Sequence, residues 1–199
     1  MKPFAVTWDY RCPFARNAHE HLVVGLADGA GWDVTFLPFS LNQSHVPEGG
    51  TPVWDDPAQT KDLMALAAGV VVRDRYPEQF GGVHTALFAA RHDQALDLRD
   101  PGVLAGVLDR AGVPGDEVLD EVRTGRPIDE IRRSHLRAVT EWEVFGVPTF
   151  VVDGRAVFVR LMSRPEGDAA LARRTIEGIV RLFDDQPDLN EFKYTTLAR

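Results

Sequence analysis

A single cysteine, Cys12, stands among 199 residues. One thiol excludes an internal disulfide, a cysteine-built zinc site and the two-thiol cycle of a CxxC redox enzyme acting alone. Basic residues are also short: 22 Lys and Arg face 30 Asp and Glu, a formal charge of −8. The positive footprint that nucleic acid or an anionic membrane would need is missing. No apolar run approaches the ~18 residues of a membrane span. The opening MKPFAVTWDYRCPF is broken by Asp9 and Arg11, which does not suit a signal peptide. The expectation is a soluble cytoplasmic protein. Its six histidines include no HExxH and no clear metal spacing, so no metal is expected. The pairs Gly49-Gly50 and Gly81-Gly82 belong to no GxGxxG or P-loop, so no nucleotide is expected either. A hydrolase has no nucleophile elbow to rest on.

What is present is a globular composition, 44% hydrophobic and 26% charged, long enough for one domain carrying an insertion. Residues 3–9 alternate and predict a strand. Pro13 suits a first helical position, and Phe14, Ala18, Leu22 and Leu26 continue with helical spacing. Residues 32–39 predict a second strand, parallel to the first. Residues 41–56 are rich in Pro, Gly and Asn, and read as either a lid over a site or a plain surface loop. From 57 to 144 only helical stripes are found, among them a short helix around Leu87 and a longer one through His135 and Trp142. Asp153-Gly154 between apolar runs predicts a hairpin. Ser163 and Glu166 fit a capping box before a closing helix. The chain from 185 to 199 reads as a polar tail. The fold class is therefore α/β, with residues 1–40 and 145–184 forming one domain and 57–144 an inserted all-helical one.

Cys12 falls at the junction of the first strand and the first helix. Helix-end N–H groups and the helix dipole favour a thiolate there, and Arg11 adds positive charge beside it. A cysteine inside an apolar stripe would instead read as a small inert hydrophobe. The placement predicts a thiol pKa below ~8.5, with burial as the opposing influence.

The β-α-β, β-β-α order, with Cys12-Pro13-Phe14-Ala15 at the first helix and Val147-Pro148-Thr149 before the hairpin, resembles a thioredoxin fold of the DsbA branch. The helical block and the SLNQ segment are similar to the actinobacterial DsbA-like proteins that include mycothiol-dependent nitroreductases. The kappa-type glutathione transferases share the inserted block. The resemblance implies that Cys12 is the attacking cysteine and that Pro13 and Phe14 tune it. It implies that Pro148 is a cis-proline beside the site and that the Val147 backbone pairs with a thiol substrate. Ala15 stands where many relatives carry the resolving cysteine. A methyl there leaves monothiol chemistry, in which a low-molecular-weight thiol such as mycothiol or glutathione completes each cycle.

Three functions follow. One is a thiol-dependent oxidoreductase acting through Cys12 on a disulfide or a small electrophile. Another is a kappa-type transferase or an isomerase, in which a bound thiol is the nucleophile and Cys12 only hydrogen-bonds it. The last is a non-catalytic binding protein using the cleft between the lobes. Monomer and homodimer stay open. Tyr10, Phe14, His45, Trp54 and His84 are candidates for the substrate cleft, with packing against the helical block the alternative for Tyr10 and Phe14. Asp9 is either a proton carrier below the thiol or a polar strand end. Trp8 reads as core. His19 and His21, two apart on a helix, read as surface residues, and His135 as a core or interface histidine.

Overall fold

The computed structural model describes residues 1–189 and Glu191. Most of the expected polar tail lies outside them. Alternation places Phe4–Trp8 in strand β1, Cys12 caps helix α1 (Pro13–Ala27), and Val34–Pro38 form β2. The chain closes with the hairpin β3 (Thr149–Val152) and β4 (Arg155–Phe158). Asp153 and Gly154 both take positive φ, 50° and 75°, as a tight hairpin turn between right-twisted strands requires. The sheet order is β2-β1-β3-β4. β1 runs parallel to β2, with Phe4 beside Val34, and antiparallel to β3, with Phe4 beside Val152.

Between β2 and β3 the chain makes only helices: α2 (Leu41–Ser44), α3 (Pro57–Thr60), α4 (Met64–Arg75), α5 (Pro77–His92), α6 (Pro101–Arg110), α7 (Gly115–Arg123) and α8 (Arg126–Trp142), with one 3-10 turn at Lys61–Leu63. Helix α5 is four turns long, not the short helix expected around Leu87. Its Gly81, Gly82, His84 and Thr85 interrupt the apolar stripe on which the expectation rested. The final helix α9 covers Ala169–Asp185. Its cap is Asp168, whose carboxylate accepts the Leu171 N–H at 2.8 Å, so the expected Ser163–Glu166 capping box does not form. Ser163 serves through its carbonyl, which receives His21.

Two apolar cores result. Phe4, Val6, Phe150 and Val152 of the sheet close on Ala18 and Leu22 of α1 and on Ile176 and Val180 of α9. The larger core fills the helical block and reaches across to Trp8, Tyr10, Cys12, Ala15, Phe39 and Val147. The candidate thiol thus belongs to the core of the inserted helices. Burial of these side chains, at about 1.5–3 kcal/mol for each large one, is what holds the two lobes together.

Candidate active site

Cys12 has extended backbone angles (φ −95°, ψ 117°), and its sulfur is the capping acceptor of α1, taking the Ala15 N–H at 3.4 Å. Pro13 fills the first helical position, where its missing N–H removes a donor that would otherwise lack a partner. On the other side the thiol donates to the Val147 carbonyl oxygen at 3.2 Å. The Val147–Pro148 peptide bond is cis. Thr149 is locked to β1: its N–H donates to the Thr7 hydroxyl at 2.9 Å. Its own hydroxyl donates to Gly146 at 2.8 Å. Thus Cys12, Ala15, Val147, Pro148 and Thr149, drawn from opposite ends of the chain, meet at one place.

Cys12 as a residue is only 8% exposed. Burial pushes its pKa up, against the opposing pull of the Ala15 and Phe14 N–H groups, and the negative charge of Asp9 pushes in the same direction as burial. The expectation of a depressed pKa is overturned: the helix end supplies its donors, but the inserted lobe removes the water. Arg11 does not offset this. Its guanidinium donates to the Asn42 amide oxygen and lies 3.8 Å from Asp62.

Asp9 is buried, and its two oxygens are both taken by main chain, accepting the N–H of Arg11 and of Leu41, each at 2.9 Å. Burial raises its pKa and these two bonds oppose the rise. It clamps the thiol turn to the start of α2, which accounts for an acidic residue at the end of β1. The expected lid is consequently not a free loop. Leu41 is pinned by Asp9, Gln43 accepts the Val53 N–H at 2.9 Å, and Trp54 packs edge-on to His135 of α8. His45 is exposed on this segment, and nothing places it or Trp54 at the sulfur.

Tyr10 and His84 line no open cleft; both are buried. With His19 they form a continuous chain of hydrogen bonds whose directions follow from the contacts. His19 Nε2 faces the Thr7 carbonyl at 3.0 Å and must donate. Its Nδ1 is then the acceptor for His84 Nε2–H at 2.9 Å. His84 Nδ1 in turn accepts from the Tyr10 hydroxyl at 2.8 Å. Burial holds His19 down at about 4 and His84 well below the usual histidine range, so both are neutral. Burial also raises the pKa of Tyr10. Helix α4 passes close enough that a Cβ on Gly69 would lie 2.5 Å from the Tyr10 hydroxyl. His92, at the end of α5, meets the Tyr10 carbonyl at 2.9 Å. His19 and His21 are therefore not surface residues: α1 is covered by the sheet and α9 on one side and by α5 on the other.

Phe14, a candidate from the sequence, is half-buried at a rim whose other members, Phe145, Phe158 and Arg160, the sequence did not single out. The Phe145 ring meets Phe158 at 5.1 Å between centroids, and the Arg160 guanidinium lies 5.4 Å over the ring of Phe14. No group of three or more His, Cys, Asp or Glu residues suited to a metal occurs among the described residues. Among them, too, no helix is long and apolar enough to cross a membrane.

The sequence model of the DSBA-like thioredoxin domain matches residues 6–163. No curated protein matches the sequence. Among solved structures, DsbA of Pseudomonas aeruginosa is 22% identical, with a TM-score of 0.55 over 92% of this chain and 86% of that one. The cytosolic disulfide reductase DsbM of Pseudomonas aeruginosa, solved with GSH, is 14% identical, with a TM-score of 0.61 over 90% and 100%. A 2-hydroxychromene-2-carboxylate isomerase is 14% identical, with a TM-score of 0.55 over 94% and 99%. At such identities these structures establish the fold, an α/β thioredoxin-like sheet with a large helical insertion, as the sequence led us to expect.

Proposed function

Because the chain belongs to the DSBA-like thioredoxin domain family, we propose that it is a thiol-dependent oxidoreductase that works by single-cysteine exchange. The observation that carries this reading is the meeting of Cys12 with the Val147 carbonyl and the Ala15 N–H, where Ala15 offers only a methyl group. The Cys12 thiol loses its proton to solvent and attacks one sulfur of a disulfide. A Cys12–sulfur bond forms, the substrate S–S bond breaks, and the departing thiolate takes up a proton. Nothing beside Cys12 can resolve the adduct. A small external thiol attacks the outer sulfur of the adduct; the bond to Cys12 breaks, Cys12 regains its thiol, and the substrate half it held leaves joined to the external thiol as a new disulfide. The external thiol in this reading is of the glutathione or mycothiol kind, and the subgroup kinship implied by the motifs belongs to the same proposal. A reducing cytoplasm would supply such a thiol, and the DsbM neighbour is described as cytosolic.

One observation favours a second reading. A buried thiol that keeps its proton and donates to a carbonyl can equally donate to the sulfur of a bound thiol. Cys12 would then orient a nucleophile rather than be one, as in a transferase or an isomerase. Mass spectrometry after brief exposure to glutathione disulfide separates the two. A glutathione adduct on Cys12 that persists until free thiol is added supports exchange. Absence of the adduct up to about pH 10, well past the ~8.5 of a free thiol, rejects it. Activity surviving in Cys12→Ser supports the transferase reading.

A further inference from the structure

The rim of the site carries a feature that the exchange chemistry alone does not use. In the β3–β4 register Thr149 faces Phe158, and the Val159 N–H donates to the Pro148 carbonyl at 3.1 Å. The chain leaving β4 therefore runs alongside the Gly146–Pro148 segment that receives the thiol. Its next residue, Arg160, is exposed and reaches over Phe14, two positions beyond Cys12. Among the described residues Arg160 has no carboxylate within ion-pair distance, whereas its neighbour Arg164 is engaged by Glu20 and Asp93. A guanidinium lying over a ring face keeps its N–H donors free at its edge, in the fork geometry that fits a carboxylate. Two exposed apolar side chains belong to the flanking segments: Phe145 is 72% exposed and Met162, two positions after Arg160, 56%. Phe145 leans on Phe158 and immediately precedes Gly146.

Resting on the exchange reading above, we infer that Arg160 and the Phe14–Phe145–Phe158 rim select thiols and disulfides that bear a carboxylate on an apolar body. The chain as a whole, at −8, repels anions. A cation over Phe14, two positions along the chain from Cys12 and without an ion-pair partner among the described residues, reverses that bias locally on this rim. The carboxylate would lie against Arg160 and the apolar part against the phenylalanines, bringing the S–S bond toward Cys12. Of the two kinds of external thiol, the carboxylate criterion alone favours glutathione, which carries carboxylates, over mycothiol, which carries none; neither has an apolar body, so the phenylalanines would act on the other partner of the exchange.

The test compares two chromogenic aromatic disulfides on the full chain: 5,5′-dithiobis(2-nitrobenzoate), which carries carboxylates, and 4,4′-dithiodipyridine, which carries none. Each reacts by the same balanced step, Cys12 taking one aryl sulfide and releasing the other as an arylthiolate. The quantity read is the ratio of the two second-order rate constants: the thiol is common to both reactions, and the difference in leaving group cancels when the ratio is compared between variants. In Arg160→Gln this ratio should fall by about 1.4- to fivefold, the range expected of one exposed charge pair. Arg160→Lys should retain part of it, and added salt should lower the wild-type ratio toward that of Arg160→Gln. Phe145→Ala should slow both reagents together. A ratio unmoved by Arg160→Gln overturns the inference while leaving exchange at Cys12 intact. Failure of the wild type to release arylthiol from either reagent overturns the exchange reading, and this inference with it.

Discussion

The thiol of Cys12 donates to the carbonyl oxygen of Val147, 3.2 Å away in space and 135 positions away in sequence. That bond needs the proton to stay on sulfur. A thiolate would set negative charge against a carbonyl oxygen in a site already short of water. The position therefore holds its nucleophile in reserve, in contrast to a helix end open to solvent.

The first prediction follows from this bond. The rate of Cys12 alkylation by a small reagent should rise with pH along a curve whose midpoint lies above the ~8.5 of a free thiol. The cause is burial, only partly offset by the Ala15 and Phe14 N–H groups. The thiol is favoured in its protonated form by the fold, so its contribution to stability is present at neutral pH. It is lost as pH rises through the free-thiol value toward the raised one. A midpoint below about 8 would show that the helix end outweighs desolvation.

A cysteine at position 15 should change the chemistry. Ala15 is one turn along α1 from Cys12, and its N–H already reaches the sulfur at 3.4 Å. Side chains three apart share a face, and their Cα atoms fall inside the ~7 Å that a disulfide allows. Ala15→Cys should oxidise to an internal disulfide, seen as a mass loss of H2 that dithiothreitol reverses. It should then turn over with a dithiol reductant where the native chain depends on a monothiol. A variant that accumulates only external adducts would show that the first turn cannot close.

The chain from Tyr10 through His84 and His19 to the Thr7 carbonyl predicts both a mutational and a pH effect. His84→Phe strands the Tyr10 hydroxyl and His19 Nδ1 in a buried site, at about 1–3 kcal/mol each. Urea unfolding should therefore show a loss of about 2–6 kcal/mol. His19, held at about 4 against an ordinary 6.5, is neutral in the fold. Its contribution is intact above 6.5 and is lost as pH falls from there toward 4, about 3 kcal/mol in all. His84 acts in the same direction, as does His135, which burial also lowers to about 4. Stability that stays flat from pH 7 to 4.5, or a His84→Phe variant as stable as the native chain, would contradict this arrangement.

How much of this could be read from residues alone depended on whether the cause was local. The alternation of Phe4, Val6 and Trp8, the proline after Cys12, and Asp153-Gly154 act within a few residues, and they mark β1, the start of α1 and the hairpin turn. His19 and His21 were misread because spacing reports only which faces of a helix they occupy. It does not report that both faces of α1 are covered, one by α9 and the other by an inserted helix. The same blindness to the second lobe reversed the expected direction for Cys12: its donors are local, and its burial is not. Arg160 carries no motif. It becomes conspicuous only once β4 lays it beside Pro148 and over Phe14.

The insertion of the helices between β2 and β3 also orders events in time. The partner of the Cys12 thiol, and the residues that shield it, are made long after it is. At roughly 5–20 residues per second, the 135 positions between Cys12 and Val147 take a ribosome about 7 to 27 seconds. Throughout that interval Cys12 lacks the Val147 carbonyl and the inserted side chains that bond and cover it in the finished fold. Completion of β3 then closes over it, so the newly made chain is more vulnerable at this sulfur than the finished protein will ever be.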